Sequence, residues 1–111
     1  MPSQAAIEVR PLGESDPLEF EVAVSEPNGQ TRHRVTLSLS DYRRLAGGTA
    51  DPSQCVEAAF RFLLDREPKE AILRRFNLTL IGHYFPEFEA QLPSYLGRTP
   101  AATGTPGAQR S

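Results

Sequence analysis

Two stretches of strict alternation, separated by Asn28-Gly29, constrain this chain more than anything else in it. Leu18-Glu19-Phe20-Glu21-Val22-Ala23-Val24 carries its large apolar residues at even positions, and Val35-Thr36-Leu37-Ser38-Leu39 at odd ones. Period two with one polar face is the pattern of an antiparallel sheet covered on a single side. Asn and Gly both tolerate positive φ, which a type I′ hairpin turn requires. With Asn28 and Gly29 as the loop, paired residue numbers sum to 57. Phe20 then faces Leu37, Val22 faces Val35 and Leu18 faces Leu39, while His33 faces Val24 as a partly covered strand residue. A slip of one residue would set Phe20 against Ser38 and lose every apolar match. An earlier alternating stretch, Ile7-Glu8-Val9-Arg10, stops at Pro11 and supplies a third strand.

The second half reads as helices. Ser40 can cap a short helix from Asp41 to Ala46, ended by Gly47-Gly48. Asp51-Pro52 opens the next, with Asp as N-cap and Pro in the first helical position. From Cys55 to Leu64 only Glu57 and Arg61 are polar, and with Asp65 they form one charged stripe at i, i+4 and i+8. So narrow a polar face means packing on most sides, which puts this helix at the centre of the domain. Pro68 is expected to open a helix over Lys69–Phe76, with Ile72, Leu73 and Phe76 on one face. Asn77 ends it or caps the next. Over 78–85 the spacing of Leu80, Tyr84 and Phe88 favours helix, although Leu78-Thr79-Leu80-Ile81 also fits a strand. Pro86 restarts the chain into Glu87–Leu92, which Pro93 is expected to end. The fold class is α+β: an N-terminal antiparallel sheet of about three strands, then three to four helices packed on one face. Residues 7–96 form a single domain and residues 1–6 a flexible N-terminus. Residues 97–111, GRTPAATGTPGAQRS, carry no large apolar residue and read as a disordered tail.

The string Phe62-Leu63-Leu64-Asp65-Arg66-Glu67-Pro68, then Ile72-Leu73-x-x-Phe76, then Tyr84-Phe85-Pro86, resembles a small family of uncharacterised bacterial proteins of similar length. The resemblance covers most of 7–96. It implies a bacterial, cytoplasmic setting and brings no catalytic residue with it.

Composition narrows function by exclusion. No apolar run approaches the ~18 residues that span a bilayer, and the first residues have no basic or apolar leader pattern. One cysteine excludes an internal disulfide framework and any Cys-rich zinc site. Cys55 lies near a helix N-terminus, which favours thiolate, but among apolar neighbours, which favours a buried structural thiol. Neither His33 nor His83 has a partner at metal-ligand spacing, and Gly47-Gly48 is a helix terminus rather than a phosphate loop. No catalytic, cofactor-binding or metal-binding residue is assigned, and the chain is read as not an enzyme.

Two functional readings follow. The first is a small non-enzymatic cytoplasmic interaction module whose partner is another protein or a second copy, with Tyr84, Phe88 and Tyr95 as the contact surface. The second is a ribbon–helix–helix-like DNA-binding regulator. In it, Arg34–Ser40 is the strand, Asp41–Leu45 the first helix and Ser53–Glu67 the second, and Arg32, Arg34, Arg43 and Arg44 meet nucleic acid. The formal charge of −2 and the intrachain partner already found for the strand weigh against it.

Overall fold

The computed structural model describes residues 5–13, 15–46 and 50–98. Four strands lie side by side in chain order: β1 (Ala6–Gly13), β2 (Leu18–Glu26), β3 (Gly29–Leu37) and β4 (Arg75–Asn77). The first three are antiparallel, and β4 runs parallel to β3. Helices α1 (Leu39–Ala46), α2 (Pro52–Leu64), α3 (Ile81–Tyr84) and α4 (Phe88–Arg98) accompany the sheet, with 3-10 turns at Lys69–Ala71 and Leu78–Leu80. The fold is α+β.

The hairpin exists, but its register differs from the expected one by two residues. Glu26 pairs with Gly29, so Pro27 and Asn28 form the loop and paired numbers sum to 55. Leu18 faces Leu37, Phe20 faces Val35 and Val22 faces His33. The cause is Pro27. Its ring fixes φ near the value of the first corner of a type I turn, whereas in the ladder it would offer no N–H. No non-glycine residue among those described has positive φ, so a type I′ turn is not formed; Gly29 takes the positive angle at φ +145°. A shift of two leaves each side chain on its expected face, which is why the apolar pattern alone could not detect it. Gly29→Val should cost about 1 kcal/mol or more in urea unfolding, because no Cβ clash awaits there and only the backbone angle resists. An unchanged midpoint would mean that the turn is not built on that angle.

The inner face of the sheet supplies Phe20, Val22, Val24, Val35 and Leu37, all buried. Against them lies α2, of which Val56, Ala59, Phe60 and Phe62 are fully covered. Its start is as read from the sequence: the Gln54 N–H donates to Asp51 Oδ1 at 2.9 Å, and the Asp51 N–H to Gln54 Oε1 at 3.1 Å. Glu57, Arg61 and Asp65 lie on its most exposed line, and Leu64 is only half-buried. The cap of α1 is Ser38 rather than Ser40. Ser38 Oγ accepts the Asp41 N–H at 3.1 Å, while Asp16 takes the Leu39 N–H at 3.0 Å.

Four further expectations are corrected. Lys69–Phe76 is a 3-10 turn followed by a strand, not a helix. Pro93 lies inside α4 instead of ending it, because Phe88, Leu92 and Tyr95 are buried on one face and hold the helix together past the missing N–H. Ala5 is buried and Ala6 begins β1, so the folded body starts earlier than residue 7. Gly97 and Arg98 close α4; the rest of the expected tail, and the first four residues, lie outside the described residues. The stretch over 78–84 is helical, a 3-10 turn at Leu78–Leu80 running into α3, and Phe85 lies past its end; Asn77 caps it, its Oδ1 accepting the Thr79 N–H at 3.0 Å.

Candidate functional site

The segment that was expected to be helical builds the site. Two side chains hold it in its extended form. His33 Nδ1 donates to the Leu73 carbonyl at 2.7 Å, leaving Nε2 to accept the Thr31 hydroxyl at 2.8 Å. The neighbouring Arg34 N–H donates to the Arg74 carbonyl at 2.7 Å. Lys69, the only lysine in the chain, is almost completely covered. Its Nζ donates to Glu70 at 2.8 Å and to Glu26 and Asn28 at 2.9 Å each, tying the 3-10 turn to the hairpin. A helix from Lys69 to Phe76 would carry the Leu73 and Arg74 carbonyls away from His33 and Arg34 and pull Lys69 away from the hairpin; tertiary contacts outweigh the apolar spacing.

Burial pushes the His33 pKa down, against the opposing pull of the Leu73 carbonyl. The folded imidazole therefore resists a proton that the unfolded one takes near pH 6.5. Stability from this group is complete above pH 6.5 and declines as pH falls below it, by at most about 1.4 kcal/mol per pH unit. Urea midpoints at pH 7.5 and 5.5 should differ more for the native chain than for His33→Gln. Equal differences would contradict a buried neutral imidazole.

With Leu73 held outward and Phe76 inward, a groove of about 450 Å3 opens between the C-terminal end of α2 and α3. Leu63, Ile72 and Phe76 form its floor and are buried, as is Ile81; Leu80 and Phe85 are half-buried. Leu73 and Tyr84 line it while 49% and 66% exposed, and they are two of the three large hydrophobic residues left exposed among the described ones. One charged residue lines the groove, Glu67. Among the described residues nothing offers its carboxylate a hydrogen bond or an ion pair. Burial alone raises its pKa above the ordinary carboxylate value of 4.5. Glu67→Gln should therefore leave thermal stability at pH 7 unchanged or raise Tm by about 1–3 °C, because the cost of partly desolvating an unpaired charge disappears. A fall in Tm would reveal a structural partner for this carboxylate.

The residues singled out from the sequence are scattered. Tyr84 is exposed beside the groove, but Phe88 and Tyr95 are buried and do not form a contact surface. Both stack edge-on against Phe62, at ring-centroid distances of 5.1 and 5.7 Å. The Tyr95 hydroxyl also donates to Asp65. The four candidate arginines fall in two places. Arg32 and Arg34 stand on the outer face of the sheet, where they meet Glu21 at 3.5 Å and Glu19 at 3.6 Å. On α1, Arg44 pairs with Asp41 at 3.0 Å and with Glu89, and Arg43 is exposed. The ribbon–helix–helix arrangement is not present, because β3 is flanked on both edges by strands of its own chain. Cys55 is fully buried, and burial pushes its thiol pKa up to about 12. Among the described residues no three His, Cys, Asp or Glu side chains converge in a way that could hold a metal ion.

Glu67 and Leu73 were not singled out from the sequence. A signal existed for Glu67: its neighbours at i−4, i−3, i+3 and i+4 are Leu63, Leu64, Glu70 and Ala71, so no base lies within helical reach. Leu73 gave no signal, because its exposure depends on a strand that the local pattern does not announce. Comparison with family models, with curated proteins and with solved structures finds no match to this chain.

Proposed function

We propose that the chain is a small non-enzymatic interaction module and that the groove between α2, β4 and α3 seats an apolar side chain of a protein partner. The observation that carries this reading is the apolar groove itself, open to water with Leu73 and Tyr84 exposed on its lining. Apolar surface gathered in one concave place marks a contact site more often than the same residues scattered singly. Tyr is also enriched at the centres of protein interfaces. The bacterial, cytoplasmic setting implied by the FLLDREP resemblance belongs to this reading. DNA is a weaker candidate, because Arg32, Arg34 and Arg44 are each matched by a carboxylate of the chain, which lowers the field they present to phosphates.

Site-specific photocrosslinking tests the proposal. A photoreactive phenylalanine analogue replaces Tyr84 in one variant and Arg43 in another, each expressed in a bacterial host. Protein adducts of discrete mass should form from position 84 and not from position 43. An adduct at twice the chain mass identifies a second copy, and any other mass a different protein. Adducts from position 43 alone, or nucleic acid recovered from it, would overturn the reading.

A further inference from the structure

We propose that the groove takes a peptide segment placing a lysine or arginine next to a large apolar residue, the apolar side chain in the groove and the cation against Glu67. This rests on the reading of the groove as a partner site and adds the chemistry of what fills it. Charge complementarity points to this occupant.

The lining holds a single charged group, and the cations nearest to it in sequence are committed elsewhere. Arg66 lies over the Phe62 ring with its guanidinium carbon 3.7 Å from the centroid. It also donates to Glu87 at 3.1 Å and to Gln91 at 2.8 Å. Lys69 is held by Glu26, Asn28 and Glu70. Among the described residues Glu26 and Glu70 are matched by Lys69, Glu87 by Arg66 and Asp65 by the Tyr95 hydroxyl, and Glu67 is left against apolar surface. A carboxylate in that setting costs stability unless a cation reaches it. A cation that does reach it forms a charge-assisted hydrogen bond in surroundings drier than bulk water, where such bonds are strong. Residues that break a local rule without compensation inside the fold are expected at functional sites.

A peptide fits this arrangement better than a small amine. Leu73 and Tyr84 line the groove yet stay largely exposed, and a chain segment can cover both while its side chain fills the cavity. An acidic segment is disfavoured by Glu67, and a purely apolar one would bury the carboxylate unpaired.

The test is selection from a displayed library of random twelve-residue peptides, carried out in parallel on the full native chain and on Glu67→Gln. Thermal melts first show that the variant is folded. Both pools should be enriched in Leu, Ile, Phe, Met or Trp. Only the native pool should also carry Lys or Arg within three positions of that residue. One selected peptide, labelled and titrated, should bind the native chain about tenfold more weakly when its basic residue becomes norleucine, and less than about twofold more weakly on Glu67→Gln. Pools that are apolar but equally basic, or equally lacking in bases, overturn this inference and leave the groove reading in place. If no apolar enrichment appears, or if Leu73→Ser with Tyr84→Ala selects the same peptides as the native chain, the groove reading falls as well.

Discussion

Phe62→Ala should destabilise the protein by about 3–5 kcal/mol, a fall in Tm of roughly 15–30 °C for a domain of this size. Phe62 is fully buried, and three other rings meet it edge-on: Phe85 at 5.8 Å, Phe88 at 5.1 Å and Tyr95 at 5.7 Å. Arg66 covers its remaining face. Removing the ring leaves a void lined by Phe85, Phe88, Tyr95 and Arg66, of which the last two are held in place by hydrogen bonds. Tyr95 is fixed to Asp65, and Arg66 is fixed to Glu87 and Gln91. The loss should therefore exceed the transfer term alone. Chemical denaturation followed by circular dichroism measures it. A cost under about 1.5 kcal/mol would mean that α4 is not anchored through this ring.

Phe60→Ala should cost a similar roughly 3–5 kcal/mol, with a second signature that Phe62→Ala lacks. Phe60 lies between the His33 ring at 5.4 Å and the Phe76 ring at 6.0 Å, so it joins the imidazole of β3 to the strand that forms the groove floor. Its removal lets water toward His33, and the imidazole pKa should rise toward its ordinary value. The decline in stability between pH 7.5 and 5.5 should then become shallower. A variant that loses stability but keeps the full pH dependence would show that His33 is shielded by something other than Phe60.

The antiparallel strands and the central helix were legible because their signals are local and redundant. In β2 and β3, alternation sets the buried face; in α2, Asp51, Pro52 and the Glu57–Arg61–Asp65 stripe each point to the same helix. The register was not legible, since Pro27 and Gly29 outvote Asn28-Gly29 for the turn and a shift of two changes no face. Nor was β4. Ile72, Leu73 and Phe76 fit helical spacing, and what opposes it is distant in sequence: His33 and Arg34 bonding to the carbonyls of Leu73 and Arg74, and Lys69 bonding back to Glu26. The candidate site inherits that failure. Its rim residue Leu73 is exposed only because the segment is extended, and Phe88 and Tyr95 pointed to a surface only because their partner ring, Phe62, could not be assigned from spacing. Tyr84 was legible only as one of a group of aromatic residues, the type that favours interface centres; that it alone of Tyr84, Phe88 and Tyr95 is exposed follows from the packing of the other two on Phe62.

The groove as the seat of a partner is the central claim. Its most direct test is a titration of the 15N-labelled full chain with the capped dipeptide N-acetyl-Phe-Arg-amide, followed amide by amide. Saturating shifts confined to Leu63–Glu67, Ile72–Phe76 and Leu80–Phe85 are the result expected. Shifts centred on Arg32, Arg34, Arg43 and Arg44, or no saturating shifts in the groove, would contradict it.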